Sequence, residues 1–209
     1  MSEISGRNVL ITGGTSGIGR LVALKMASLG ASVAVYGRSG ERLEAVTGEI
    51  RQETGGVARG FVCDVSDRER VYEAAGEVKA TLGPVDILVN NAGVVFGRRL
   101  LELADEEIEA TMAANALGLY WVARSILPQM ISRGGHVATI ASVAGMVGVS
   151  QQTYYSASKH TARGFAESLR MELARHGRRE IKISLVNLYS VDTGMFEGVK
   201  TPSRACCRS

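Results

Sequence analysis

Asn8-Val9-Leu10-Ile11-Thr12 runs directly into Gly13-Gly14-Thr15-Ser16-Gly17-Ile18-Gly19. The first five residues form a short apolar run with little in-out alternation, the pattern of a strand buried on both faces. The glycines permit a tight turn and let backbone come close to a ligand. Residues 20–29 then read as a helix closed by Gly30. A helix start after such a loop offers free N–H groups and the positive end of a dipole, which suits a pyrophosphate. The spacing Gly13-x-x-x-Gly17-x-Gly19 is not the common dinucleotide pattern. Its place between first strand and first helix nevertheless points to a nucleotide held by Gly13, Thr15, Ser16, Gly17, Ile18 and Gly19.

Working outward, apolar strands are expected at residues 31–36, 60–63, 85–90, 136–142 and 181–188. Helices are expected at 40–53, 67–82, 105–133 and 154–176. Strand and helix alternate throughout, which calls for an α/β fold of Rossmann type: a doubly wound parallel sheet with helices on both faces, in a single domain spanning residues 1–209. In such a sheet the nucleotide lies across the carboxyl ends of the strands, where Arg38, Asp64 and Asn90 are expected. Asp64 serves equally well as a cap for the following helix. After the second strand, Tyr36-Gly37-Arg38-Ser39 carries no acid to hold ribose hydroxyls. A guanidinium there suits a 2′-phosphate, so NADP(H) is expected over NAD(H).

The chain has 209 residues, 45% apolar and 22% charged, enough for a substantial core. A net charge of +3, spread along the chain, does not call for nucleic acid. Glycine is abundant (25) and proline scarce (3), which suits tight strand-to-helix turns better than a disordered linker. Cys63, Cys206 and Cys207 make neither a disulfide framework nor a zinc spacing, and no ligand cluster calls for a metal. The segment from Met1 to Arg7 is polar, and no apolar run approaches the roughly 20 residues of a membrane span. The expected compartment is the cytoplasm, with reduced thiols.

Tyr155 and Lys159 are four apart in Tyr155-Ser156-Ala157-Ser158-Lys159, so a helix puts them on one face. An ammonium beside a phenol favours the phenolate and is expected to lower the tyrosine pKa from about 10. Ser142, upstream, supplies a hydroxyl for the same oxygen. The trio is suited to move a proton to or from a carbonyl oxygen. With a hydride-carrying nucleotide, it suits a reductase or dehydrogenase acting on a small-molecule carbonyl or alcohol. His136 and His160 are expected to serve structure only. Tyr154 reads as a packing residue, and Phe165 and Met171 as core or subunit interface.

Thr12-Gly13-Gly14-Thr15-Ser16-Gly17-Ile18-Gly19, Asn90-Asn91-Ala92-Gly93, Asn115, Ser142 and Tyr155-x-x-x-Lys159 stand in an order that resembles the classical short-chain dehydrogenase/reductase family. The resemblance covers residues 5 to about 199, leaving an atypical tail at 200–209. It implies that Tyr155 is the general acid or base. Lys159 would tune it and hold the nicotinamide ribose, and Ser142 would orient the substrate oxygen. Asn115 would join a proton relay through water. It further implies that Asp64, Val65, Asn91, Ala92, Gly93 and Thr193 contact the cofactor, that Asn90 stabilises the sheet, and that the chain forms a homodimer or homotetramer. Val191-Asp192-Thr193-Gly194-Met195-Phe196-Glu197-Gly198 is similar to the retinol-dehydrogenase-like subgroup, which implies an apolar alcohol or aldehyde.

Two departures from the family stand out. Leu188-Tyr189 replaces a Pro-Gly turn, and Tyr189 is expected to be strained if its φ is positive, or to fill part of the nicotinamide pocket. The chain also stops where relatives run on through a covering helix and a last strand. A truncated reading of a longer protein would explain this, and reduced stability, an open substrate site or reliance on a partner chain is expected. These departures keep a competing reading in view, an NADP(H)-binding protein without turnover. The intact Ser142, Tyr155 and Lys159 speak against it. A third class, isomerase or dehydratase on a nucleotide-sugar, calls for a larger C-terminal region.

Overall fold

The computed structural model describes residues 4–189. Its centre is a six-stranded parallel sheet of order β3-β2-β1-β4-β5-β6. The strands are β1 (Asn8–Thr12), β2 (Ser32–Gly37), β3 (Ala58–Val62), β4 (Ile87–Asn90), β5 (Gly135–Ser142) and β6 (Ile181–Leu188). The helices are α1 (Gly17–Ser28), α2 (Gly40–Thr54), α3 (Arg68–Leu82), α4 (Asp105–Met112), α5 (Gly118–Met130) and α6 (Thr153–Arg175). This is the doubly wound Rossmann order, and its winding reverses between β1 and β4, where such sheets open a crevice.

The apolar runs lack alternation because both sheet faces are covered. On one face Leu10, Tyr36, Leu88 and Val137 pack with Val71 and Val78 of α3 and Val122 and Ile126 of α5. On the other, Val9, Ile11, Val33 and Val35 pack with Ala23 and Ala27 of α1 and Leu43 and Ile50 of α2. Fully burying each of these valine, leucine and isoleucine side chains stabilises the fold by about 1.5–3 kcal/mol. Helix α6 joins the first face through Ala162 and Ala166 against Ala141. Phe165 belongs to this cluster and meets Tyr120 edge to face, with ring centroids 5.0 Å apart.

The helix expected at 105–133 is continuous in direction but not in winding. A π-helical turn, Ala113–Leu117, separates α4 from α5. Such a turn inserts an extra residue and re-aims side chains, and here it carries Asn115 into the interior, 3% exposed. Asp67, not Asp64, caps α3: its carboxylate accepts from Arg70 N at 3.0 Å. Tyr189 lies just after β6, 82% exposed, and does not take a positive φ. The strain expected of a positive φ therefore does not occur. Thr193, the subgroup-like segment, Cys206, Cys207 and the tail lie outside the described residues.

Candidate active site

A cleft of about 730 Å³ opens at the carboxyl ends of β1, β2, β3 and β4. Of the residues expected to hold a cofactor, Gly13, Thr15, Ser16, Gly17, Ile18, Arg38, Asp64, Val65, Asn91, Ala92 and Gly93 line it. Gly19 lies beneath, where a side chain would collide with the Gly13 carbonyl oxygen and the Asn91 amide. Gly13 has φ +64°, and a Cβ there would stand 2.9 Å from Ala92 Cα. These two positions therefore accept only glycine without displacing the loop.

Ser39 and Asp67 cap α2 and α3 with their side chains, but Ser16 makes no such bond at the start of α1, and α1 has no acid in its first turn. Its amides and dipole are left for an anion. The cleft, the glycine cradle and this uncapped helix start fit a dinucleotide pyrophosphate.

At the β2 end of the cleft stand Arg38, Ser39 and Arg42. Among the described residues neither guanidinium has a hydrogen-bond or ion-pair partner, unlike Arg20 with Glu49 or Arg70 with Glu77. Arg42 escaped the sequence reading because it falls at the start of a helix, where a basic residue reads as solvated surface. The signal was its spacing four after Arg38. Asp64 accepts from Ser66 N (3.0 Å) and Ser66 Oγ (2.7 Å), which fixes its carboxylate at the cleft wall. Cys63 also lines the cleft. Burial pushes its thiol up to about 12, so it stays protonated and unreactive.

Asn91 carries the structural work expected of Asn90. Its side-chain amide donates to the carbonyls of Thr12 (3.0 Å) and Gly13 (3.2 Å). In return Thr12 Oγ1 accepts from the backbone of Asn91 and Ala92, both at 3.0 Å. The β4 end is thus stitched to the glycine loop. Asn90, the last residue of β4, has its Nδ2 buried without a hydrogen-bond partner among the described residues.

Gly93 connects the cleft with a second group of residues. A Cβ built on it would lie 3.1 Å from Asn115 Oδ1 and 3.7 Å from Lys159 Nζ. Asn115 Oδ1 accepts from Val94 N (2.8 Å), and its amide donates to Val94 O (3.0 Å) and Ser158 Oγ (3.1 Å). Lys159 is 5% exposed, and its ammonium donates to the Ile140 carbonyl at 3.1 Å while lying over the Tyr155 ring. Burial pushes its pKa down to about 8. Ser142, at the end of β5, accepts from Ala144 N (3.1 Å) and is hydrogen-bonded to Tyr155.

Ser142, Tyr155, Lys159 and Asn115 are therefore brought together, but the Tyr155 pKa moves opposite to the expected direction. It is raised: burial raises it most, the Ser142 hydrogen bond pulls it down, and neighbouring Tyr154 pushes it up. Lys159 does not prevail because the burial that disfavours the phenolate disfavours the ammonium too. The sequence also missed Tyr154. Its hydroxyl accepts from Phe96 N and Gly97 N at 2.7 Å each, so it does more than pack. His160 Nδ1 donates to the Ser156 carbonyl (2.9 Å) and His136 Nε2 lies 2.8 Å from Ser184 Oγ, structural bonds as expected.

A twisted parallel sheet with a glycine cradle at its switch point and a Ser-Tyr-Lys group beside it defines a nucleotide-binding α/β protein. Residues 7–203 match the family described as short chain dehydrogenase, and the chain belongs to that family. It is 40% identical over 200 residues to short-chain dehydrogenase/reductase family 16C member 6 of Bos taurus, covering 95% of this chain and 63% of the relative. It is 40% identical over 201 residues to epidermal retinol dehydrogenase 2 of Mus musculus, covering 95% of this chain and 65% of the relative. The chain thus spans less than two thirds of the length of these relatives. A solved variant of actinorhodin polyketide ketoreductase with NADPH superimposes with a TM-score of 0.87 at 37% identity, covering 95% of this chain and 76% of that one.

Proposed function

We propose that this chain is an NADP(H)-dependent oxidoreductase that interconverts an aldehyde or ketone and an alcohol. The observation that carries the reading is the buried Tyr155 phenol, hydrogen-bonded to Ser142 and faced by Lys159, next to the glycine that borders the cleft. Nucleotide binding alone has no use for that arrangement, which disfavours the reading without turnover.

A bound nicotinamide nucleotide supplies the hydride. The protein supplies position and a proton. Gly13, Gly17 and the α1 amides hold the pyrophosphate, and Arg38 with Arg42 holds the 2′-phosphate, which sets NADP(H) over NAD(H). Ser142 Oγ and the Tyr155 hydroxyl hold the substrate oxygen. Tyr155 gives its proton as that oxygen gains charge, and the Lys159 ammonium steadies the phenolate left behind. Asn115 keeps the loop at Val94 in place and joins the relay that returns the proton.

Apolar side chains exposed near the site, Phe96, Met146 and Val147, suit an apolar substrate, as does the similarity to a retinol dehydrogenase. Leu117, Tyr120 and Met171 are exposed on the α5 and α6 side and support a homodimer or homotetramer. Among the described residues no helix is long and apolar enough to cross a membrane. The test is NADPH oxidation by the purified chain, followed by absorbance against aliphatic aldehydes, aromatic ketones and small polar ketones. Oxidation with at least one carbonyl supports the reading. Tight NADPH binding with no oxidation across the panel sinks it in favour of binding without turnover.

A further inference from the structure

Residues 91–99 form neither helix nor strand, so their backbone groups depend on side chains. Asn115 satisfies both the N–H and the carbonyl of Val94. Two residues further on, the Tyr154 hydroxyl accepts from Phe96 N and Gly97 N, both at 2.7 Å. Gly97 has φ +65°, a turn that brings two successive N–H groups onto one oxygen. Tyr154 is itself 4% exposed, so this oxygen is shielded from water.

The loop so held borders the site. Val94 lines the cleft. Val95 packs on the small cluster of Ala144, Tyr154 and Tyr155. Phe96 presents part of its ring to solvent, 37% exposed. The first turn of α6 therefore does two jobs with adjacent side chains: Tyr155 reaches Ser142, and Tyr154 reaches the loop.

We propose that Tyr154 is a positioning residue for the carbonyl substrate. Its hydroxyl fixes residues 94–97 as an apolar wall beside Tyr155, so that one helical turn sets both the proton donor and the surface the substrate leans on. The role rests on the oxidoreductase reading above. No proton is transferred: the phenol oxygen acts only as acceptor for two amides. Removing that one atom takes the shared acceptor from two part-buried N–H groups and frees the wall while leaving the ring, the nucleotide cradle and Tyr155 in place.

The experiment compares the wild-type chain with Tyr154→Phe, using decanal as the probe carbonyl. Hydrogen exchange at the Phe96 and Gly97 amides should accelerate by roughly tenfold or more, the loss expected when a buried acceptor is removed. KM for decanal should rise by roughly tenfold with kcat and the NADPH dissociation constant little changed. Unchanged exchange at those amides overturns the clamp. Faster exchange with unchanged KM overturns its role in substrate positioning. A matching loss of NADPH affinity would mark a general loosening and overturn it as well. Should the wild type turn over no carbonyl, the oxidoreductase reading fails, and with it the substrate role; the exchange measurement still decides the clamp itself.

Discussion

Lys159 Nζ lies 5.6 Å from the centroid of the Tyr155 ring, over its face, while donating to the Ile140 carbonyl. A neutral β5 oxygen, not a carboxylate, anchors the ammonium, so its charge is left to act on the phenol. Tyr155 is nevertheless held above its ordinary pKa by burial. It is therefore a protonated donor at neutral pH, which suits carbonyl reduction. Tyr155→Phe should lower turnover by about 10²–10⁴-fold, the range for a lost general acid, with NADPH binding nearly unchanged. In the wild type the sign of the shift requires reduction to stay flat through neutral pH and to fall only in the alkaline range. Alcohol oxidation, which needs the phenolate, should climb there. A reduction rate already falling between about pH 5 and 7, below the range where Lys159 loses its proton near 8, would contradict a raised Tyr155 pKa when measured at saturating NADPH.

Arg38 and Arg42 stand beside Ser39 at one end of the cleft, and neither guanidinium has a partner among the described residues. Charge-assisted bonds to a phosphate contribute about 1.5–3 kcal/mol each, so Arg38→Ala should weaken NADPH binding by roughly 10–100-fold. NADH lacks the 2′-phosphate and should be little affected. Arg42→Ala should act in the same direction. Calorimetric titration with 2′,5′-ADP and with 5′-ADP isolates the effect from catalysis. Equal losses for the two ligands would remove both guanidiniums from the 2′-phosphate.

Gly13 is both at positive φ and in contact with Ala92, so its freedom serves turn and packing together. Gly13→Ala should cost about 1–3 kcal/mol of stability through backbone strain, and more if Ala92 cannot move. Nucleotide affinity should fall with it, since the cradle and the β4 loop are stitched through Asn91. A thermal melt beside NADPH titration checks this. Wild-type values in both would mean that the loop yields at little cost.

The sheet was legible because β1 and β2 are apolar at consecutive positions, which only a doubly covered sheet rewards, and because the glycine loop sits at a strand-helix junction. The Ser142, Tyr155 and Lys159 group was legible from residue type and spacing. The π turn was not: residues 105–133 read as one helix, and the turn accompanies long-range bonds from Asn115 to Val94 that no local pattern reveals. The Tyr154 bonds span 58 and 57 residues and were hidden for the same reason. The direction of the Tyr155 shift escaped because a spacing of four tells which groups meet but not how much water they lose.

Lys159 carries a stability cost that a pH series can read. Its pKa falls from 10.5 to about 8 on folding, with burial as the cause. Below pH 8 both folded and unfolded chains hold the proton, and the full cost of the buried ammonium is present. Between about 8 and 10.5 the unfolded chain binds more protons than the folded one, so stability should rise with pH across that window. Lys159→Met keeps the length of the side chain and removes the charge. It also removes the bond to the carbonyl of Ile140, a residue that stays in register with Val186 of β6. The variant should therefore be more stable than wild type at pH 7, by about 1–3 kcal/mol, and the gain should shrink towards pH 10. Turnover should be lost at the same time, the usual conflict between an apolar interior and a functional charge. Urea unfolding of both chains across this pH range is the measurement. A Met variant less stable than wild type at pH 7 would show that the bond to Ile140 outweighs the desolvation of the ammonium.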